Sequence, residues 1–541
     1  MYRKNRRQKM SNIKAIAQKI ENGQTSLGLE LGSTRIKAVI IDAEGEVLAS
    51  GGYGWHDRLE DGVWTYHLDD VIAGLQSCYA DLAANVKKEY GVTLKKVSAL
   101  GISAMMHGYL AVDKDGRQLA SFRTWRNTIT AEAAEKLTDL FQYNIPQRWS
   151  IAHLYQAILN GEKHVADVDY FSTLSGYVHR LLTGRRVLGV GDAAGMFPID
   201  SEINDYYEKM LDQFDELIAP YGFSWKIRDI LPEVLAAGQD AGVLTPEGAA
   251  LLDPSGNLEA GIKMAPPEGD AGTGMAATNS CALRTGNTSA GTSIFTMVVL
   301  EKPLSKVYPE IDMVTTPSGK AVAMVHCNNC TSDINAWVSI IRESLNLFGC
   351  QVSEGDLYTK LFEESLKGDR DCGGLMGYNY LAGEGITHFD EGIPFFMRRP
   401  DANFNLANFM RTHIVAALST LELGMHILRD ENVVIDKMYG HGGYFKTEGV
   451  GQRYLAAAIG APVTVMKTAG EGGAWGMALL AEYMNHAGEK TLEEFLENDI
   501  FSKAAGSSFD PDPADVEGFM KYQKWFEKAL PVEEAAVQSA K

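Results

Sequence analysis

Leu27-Gly-Leu-Glu-Leu-Gly-Ser-Thr-Arg-Ile-Lys-Ala-Val-Ile-Ile-Asp42 sets the architecture of this chain. An apolar run breaks at Gly32-Ser33-Thr34-Arg35 and resumes over residues 36–41, and two such runs joined by a short polar turn read as a β-hairpin. The construction returns near mid-chain, where Gly286-Asn-Thr-Ser-Ala-Gly-Thr-Ser293 leads into the strand-like residues 294–300. Apolar residues three and four apart predict helices over residues 69–90, 131–141, 333–347, 406–429, 451–459 and 474–485, and a strand is expected over 97–103. The fold class is therefore α/β, in two similar lobes. No low-complexity segment or short-period repeat occurs, which sets aside solenoids and propellers.

Length agrees, because 541 residues exceed what a single core supports. With 45% hydrophobic and 22% charged residues the chain has the composition of a packed protein. A net charge of −20 is the wrong sign for a surface that neutralises many phosphates, so nucleic acid is not an expected partner. No stretch has the apolar length of a membrane span, and the basic residues 1–9 are not followed by an apolar signal core. Residues 1–25 are read as a basic, solvated N-terminal extension. Six cysteines, Cys78, Cys281, Cys327, Cys330, Cys350 and Cys372, do not make a disulfide framework, and a cytoplasmic setting fits best. His326-Cys327-Asn-Asn-Cys330 has the form of half a zinc site or a redox pair, but no second ligand pair follows, and buried thiols are the plainer reading. A hinge is expected in residues 266–274, where two prolines precede a glycine-rich run.

The chain lacks a G-x-x-x-x-G-K-[ST] loop, an H-E-x-x-H helix and a G-x-S-x-G elbow. Gly189-Val-Gly191-Asp-Ala-Ala-Gly195 is spaced G-x-G-x-x-x-G, unlike a dinucleotide fingerprint. Gly32-Ser33-Thr34 and Gly291-Thr292-Ser293 are better suited to phosphates, since small residues expose N–H groups and hydroxyls add donors. Either alone is as readily a plain hairpin; two of them, with Gly440-His-Gly442-Gly443 in a third place, suit a nucleotide. Phosphoryl transfer then wants a carboxylate to accept the attacking hydroxyl's proton. Asp270, in the glycine-rich mid-chain run, is the candidate, with a turn or helix cap as the alternative.

From about Ser26 to Phe526 the sequence resembles the FGGY family of carbohydrate kinases, and within it the xylulokinase-like branch. The opening hairpin is similar to a D-x-G-T-x-x-x-K phosphate hairpin, and Gly101-Ile-Ser-Ala-Met-Met-His-Gly108 to a sugar-binding segment centred on Met106-His107. Leu182-Thr-Gly184, Asp192-Ala-Ala-Gly195, Val243-Leu-Thr-Pro-Glu247 and Gly269-Asp270 follow in family order, then Ala290-Gly-Thr-Ser293, Tyr380-Leu-Ala-Gly-Glu384, His441-Gly-Gly443, Gly460-Ala-Pro462 and Phe509-Asp-Pro-Asp-Pro513.

The resemblance implies two ribonuclease H-like lobes of the actin and hexokinase type, over residues 26–275 and 276–500, with a tail helix over 501–541 and with ATP and sugar meeting in a cleft between the lobes. It implies a cytoplasmic kinase that uses ATP and Mg²⁺ to phosphorylate a terminal hydroxyl of a small-molecule sugar, a ketopentose such as xylulose. Asp270 is the implied base. Gly32, Ser33, Thr34, Gly291, Thr292 and Ser293 would hold phosphates, Gly442 and Gly443 adenosine, and Met106, His107, Trp125 and Asn127 the sugar. Glu30, through water, and Asp270 would serve the metal. Dimerisation is the family's habit. The chain departs from the pattern at two places: Glu30 replaces an aspartate, and Trp125-Arg-Asn-Thr-Ile129 stands where relatives read W-N-D-x-R, with Asn127 in place of a carboxylate. Ribulose, a xylulose epimer or glycerol are the alternative substrates. An actin-like ATPase, or a sugar-binding regulator that has lost catalysis, is the alternative class.

Overall fold

In the computed structural model, which describes residues 2–467 and 472–540, the opening stretch forms two antiparallel strands, β1 (Ser26–Leu31) and β2 (Arg35–Ile41), with Glu30 opposite Lys37. The strand β3 (Val47–Gly54) pairs antiparallel with β2. On the other side β4 (Ala99–Ala104) runs parallel to β1, and the short strands β5 (Lys263–Met264) and β6 (Glu268–Gly269) follow parallel along β4. The sheet order is thus β3-β2-β1-β4, completed by β5 and β6. Leu27, Leu29 and Leu31 are fully buried, as is Gly28 between them, which is how a strand covered on both faces reads.

Glycine sets how closely helices cover those faces. Successive residues of a strand point to opposite sides, so Gly51, level with Ala38 and Leu29, faces one way and Gly28, level with Gly101, faces the other. A Cβ on Gly51 would stand 2.4 Å from Leu82 N, in the helix Leu68–Tyr90. One on Gly28 would stand 2.1 Å from Ala474 O, and one on Gly101 2.2 Å from Met477 Cε, both in the helix Gly472–Tyr483. The opening hairpin is therefore sandwiched by one helix close in sequence and one more than 400 residues away.

The second unit repeats the plan. The strands β7 (Thr285–Ala290), β8 (Ile294–Val299) and β9 (Ala321–Cys327) form an antiparallel run, and β10 (Lys437–His441) and β11 (Val463–Met466) extend it in parallel from β7, with β12 (Gly506–Phe509) antiparallel at the edge. Three antiparallel strands followed by parallel ones, in the order third, second, first, fourth, fifth, is the arrangement of unit 1. The helix Leu406–Asp430 covers β9, where Gly424 leaves room for Val325.

Unit 1 comprises Met1–Cys281, Met313–Ala321 and Glu471–Lys503; unit 2 comprises Ala282–Asp312, Val322–Gly470 and Ala504–Lys541. Three sequence expectations meet a different arrangement. Residues 266–274 are not a hinge: they hold β6 and the start of the helix Asp270–Ala277, inside unit 1. Glycine is needed there for close approach, since a Cβ on Gly269 would lie 2.1 Å from Met106 Cγ. Residues 472–500, grouped by sequence with the second lobe, and 501–503, grouped with the tail, belong to unit 1, where the helix Gly472–Tyr483 seats on Gly28 and Gly101. The N-terminal segment forms the helix Tyr2–Glu21 and is anchored, with Ile20 in the unit 1 core and Lys19 bonded to Asp42 at 2.9 Å. The tail helix is Pro513–Ser539. Among the described residues no helix is long and apolar enough to cross a membrane.

Gly28→Val forces atoms into the backbone of the Gly472–Tyr483 helix, which the strand cannot relieve without moving the sheet. It should cost about 2 kcal/mol or more, read as a lower urea midpoint, whereas Gly355→Ala, in open space in a helical first turn, should leave the midpoint level or raise it.

Candidate active site

β6 runs beside β4 and ends at Gly269, so it delivers Asp270 next to the end of β4 and the Met105-Met106-His107 segment. Asp270 Oδ1 accepts the Met106 N–H at 3.2 Å. One side of Asp270 is open to solvent, and the protein around the other raises its carboxyl above the ordinary range, the Met106 and Ala271 amides working the other way.

Glu30 shares this end of the sheet. The register sets it opposite Lys37 and level with Ser103, whose hydroxyl lies 3.1 Å from that of Thr273, in the helix that Asp270 opens. The N-terminus of the Gly472–Tyr483 helix points at it: Ala474 N–H donates to Glu30 Oε2 at 3.2 Å, and a Cβ on Gly473 would stand 2.3 Å from Oε1. Burial raises the Glu30 carboxyl; Lys37 and the Ala474 amide lower it, and the charge of Asp270 raises it further. Two carboxylates at one end of the sheet, one open to solvent and its charge acting on the other, fit a divalent ion taken mainly through phosphate oxygens. They do not make a protein cage, and no cluster of three such ligands occurs among the described residues. Lys37 and the Gly472-Gly473 helix start carried no assigned role in the sequence reading. The lysine was visible as the last residue of the hairpin pattern; the helix start was visible only as a glycine run.

On the sugar side, Met106 and His107 are nearly buried. His107 takes a left-handed φ of 68°. Its Nε2 accepts from Arg148 Nε at 3.2 Å, so Nδ1 carries the proton and donates to Gly195 O at 3.2 Å. Gly195 is required there, since a Cβ would lie 2.5 Å from Nδ1. Trp125 is 39% exposed, and beside it Arg126 pairs with Asp57 and lies 3.8 Å from the Trp64 ring centre. Asn127 does something else. Its Oδ1 accepts the Trp64 N–H at 2.8 Å and its Nδ2 donates to the carbonyls of Trp64 and Thr124 at 2.8 and 3.0 Å, so its amide serves the turn and presents no polar group to a ligand.

Both small-residue turns are held from behind by their carbonyls. In unit 1, Gly32 O accepts Trp55 Nε1–H at 2.7 Å, Ser33 O the Tyr66 hydroxyl at 2.7 Å and Thr34 O the Trp55 N–H at 3.2 Å. In unit 2, Gly291 O accepts the Thr331 N–H and hydroxyl at 3.0 and 2.7 Å, and Thr292 O the Cys330 N–H at 2.9 Å. A trans peptide sends its N–H opposite to its carbonyl, so the Ser33, Thr34, Thr292 and Ser293 amides point away from these anchors. β10 runs beside β7 with His441 level with Ser289, which brings Gly442 against the start of the unit 2 turn. Gly442 has a φ of 100°, and a Cβ on it would lie 2.4 Å from Ala290 O; Gly443, next to it, is exposed. Of the three glycine places in the sequence, two are therefore neighbours in unit 2, and the third stands beside Glu30 in unit 1.

Comparison with known proteins gives a consistent result. Residues 25–256 match the N-terminal domain of the FGGY family of carbohydrate kinases, and residues 286–484 match its C-terminal domain. A xylulose kinase of Haemophilus influenzae is 23% identical over 492 residues, 88% of this chain and 94% of that protein. Two solved structures share the fold: a xyloylose kinase from Brucella ovis (TM-score 0.76, 16% identity, 95% of this chain and 100% of that one) and a ligand-bound xylulose kinase from Lactobacillus acidophilus (TM-score 0.74, 16% identity, 95% and 98%).

Behind Asp270 lies an acid pair, Glu268 and Asp192; the sequence pattern includes Asp192 in the Asp192-Ala-Ala-Gly195 segment but assigns neither acid a role. Glu268 and Asp192 are 1% and 0% exposed. Glu268 Oε1 accepts Gly191 N–H at 3.1 Å, and Gly189, Gly191 and Gly272 have no side chains because its carboxyl fills their place. Asp192 accepts the hydroxyls of Thr173 and Ser175. Burial pushes Asp192 to about 7, and burial with the Asp192 charge pushes Glu268 to about 8. A folded pKa above the unfolded value of about 4 means that the pair's contribution to stability is fully present below about pH 4 and is lost progressively as pH rises from there to the folded values of about 7 and 8. The urea midpoint should therefore fall between about pH 4 and about pH 8 and level off above that, and Glu268→Gln should flatten the fall. Equal slopes in both proteins would mean that Glu268 is ionised throughout.

Proposed function

This chain belongs to the FGGY family of carbohydrate kinases, and on that premise we propose that it transfers the γ-phosphoryl group of ATP to the terminal hydroxyl of a ketopentose, xylulose first among them. The observation that carries the reading is Asp270: a carboxylate fixed at a strand-to-helix junction by the Met106 amide, open to solvent on one side, next to a histidine segment that resembles a sugar site. A carboxylate raised above its ordinary range is a stronger proton acceptor.

In this reading the sugar's hydroxyl oxygen attacks the γ-phosphorus in line, Asp270 takes the hydroxyl proton, the bond to the bridging oxygen breaks, and ADP leaves. The Ser33 and Thr34 amides in unit 1 and the Thr292 and Ser293 amides in unit 2 are assigned to phosphate oxygens, where peptide N–H groups supply positive potential without any change in protonation. Gly442 and Gly443 are assigned to adenosine, which backbone without side chains can approach closely. Glu30, through water, and Asp270 would hold Mg²⁺, whose chemistry is to offset phosphate charge. Met106, His107 and the exposed Trp125 ring are assigned to the sugar. A cytoplasmic setting, with ATP, Mg²⁺ and reduced thiols, suits these assignments.

The xylulose kinases among the relatives support xylulose. Asn127 favours a different sugar or polyol, such as ribulose, a xylulose epimer or glycerol: where relatives carry a carboxylate, this chain has an amide turned inward, so a hydroxyl of the acceptor loses a partner.

Asp270→Asn should lower ADP release by roughly 10²–10⁴-fold, the share a general base contributes, while sugar binding followed by tryptophan fluorescence persists. Turnover at the wild-type rate would remove Asp270 from the role. A coupled ADP-release assay over ketopentoses and polyols should rank a ketopentose highest in kcat/KM. Glycerol at the top would move the substrate class, and ketose binding without ADP from any acceptor would point to a sugar-binding regulator.

A further inference from the structure

The Cys327-Asn-Asn-Cys330 corner, whose spacing suggested a metal or redox pair, contains buried free thiols. It ends β9 and stands behind the unit 2 turn. Its last residue holds one turn carbonyl, through the Cys330 N–H on Thr292 O, and the next residue holds the other, through the Thr331 N–H and hydroxyl on Gly291 O. The corner is itself held by one carboxylate from a distant segment. Glu384, 1% exposed, accepts the Asn328 N–H at 3.0 Å, the Asn329 N–H at 3.3 Å and Asn329 Nδ2–H at 3.1 Å. Asn329 completes the joint: its Oδ1 accepts the Leu381 and Ala382 N–H groups at 2.9 and 3.1 Å, and its Nδ2 also donates to Ala382 O at 3.1 Å. A carboxylate withdrawn from water demands donors in fixed places, so a loop wrapped on it has one favoured geometry.

From this sequence of bonds we infer that Glu384 is a positioning residue for nucleotide phosphate: it fixes the Asn328-Asn329 corner, the corner fixes the Gly291 and Thr292 carbonyls, and the peptide planes then aim the Thr292 and Ser293 N–H groups. Every bond in the series lies in unit 2, and none reaches the groups assigned to the sugar. The inference rests on the reading above that this turn binds ATP phosphates, and it specifies a kinetic signature that general loss of structure does not give.

Glu384→Gln replaces an acceptor oxygen with an NH₂ facing N–H donors, and should raise KM for ATP roughly tenfold, with KM for the sugar unchanged. The Kd for MgATP, measured by calorimetry without sugar, should weaken by a similar factor. Thr331→Val, which deletes one donor at the far end of the series, should move KM for ATP the same way by a smaller factor, and Thr331→Ser should restore it. Wild-type affinity for ATP in folded Glu384→Gln and Thr331→Val overturns the inference, as does a loss shared equally by ATP and sugar. A wild-type protein that binds no MgATP overturns the underlying reading, whereas wild-type binding that Glu384→Gln leaves intact overturns the positioning role alone.

Discussion

A peptide plane has two ends, and a protein that points an N–H group at a ligand must hold the carbonyl at the other end. Both units meet this constraint at the same place in their sheets, the turn between the first two antiparallel strands. Unit 1 anchors its turn carbonyls with side chains, the Trp55 indole and the Tyr66 hydroxyl, aided by the Trp55 backbone. Unit 2 anchors its own with the backbone of Cys330 and Thr331, aided by the Thr331 hydroxyl. The physical outcome is the same in each: small residues whose amides face away from the groups that anchor the turn's carbonyls, in a backbone fixed by those bonds.

The acidic groups of unit 1 differ in degree of exposure. Asp270 keeps a solvent face. Glu30, two strands away, is met by Lys37 and a helix N-terminus and keeps more of its charge than burial alone would allow. Glu268 and Asp192 have no such cation close by among the described residues and are pushed toward the neutral form. One short stretch of backbone, Glu268-Gly269-Asp270, thus carries two carboxyls in opposite settings, one packed into the fold and one open to solvent: strand alternation would put residues 268 and 270 on one side, but the strand ends at Gly269 and Asp270 opens a helix, which turns its side chain elsewhere.

Much of this was legible in the residues. The hairpin at 27–42, the long helices and the order of motifs depend on local periodicity and turn chemistry, and these appear where expected. The excess of glycine was legible as a need for unusual backbone, but its use was not. Gly28, Gly51, Gly101 and Gly269 are required by what packs on them, and in sequence those neighbours lie anywhere from 27 to 450 positions away. The same limit explains the hinge that is a strand and helix, and Asn127, whose side chain faces its own turn and not the solvent.

The sequence alone determined the α/β class, the duplication of the hairpin plan, the family and the identity of the outward-facing carboxylate, because each is written in short-range pattern and residue type. Only the tertiary structure decided that residues 472–503 close unit 1, that Gly442 meets the unit 2 turn, and that Glu384 supports the corner behind it. Those outcomes depend on steric fit and on hydrogen bonds between segments far apart in the chain, and a donor's partner is fixed by where the backbone brings it, which no local spacing records.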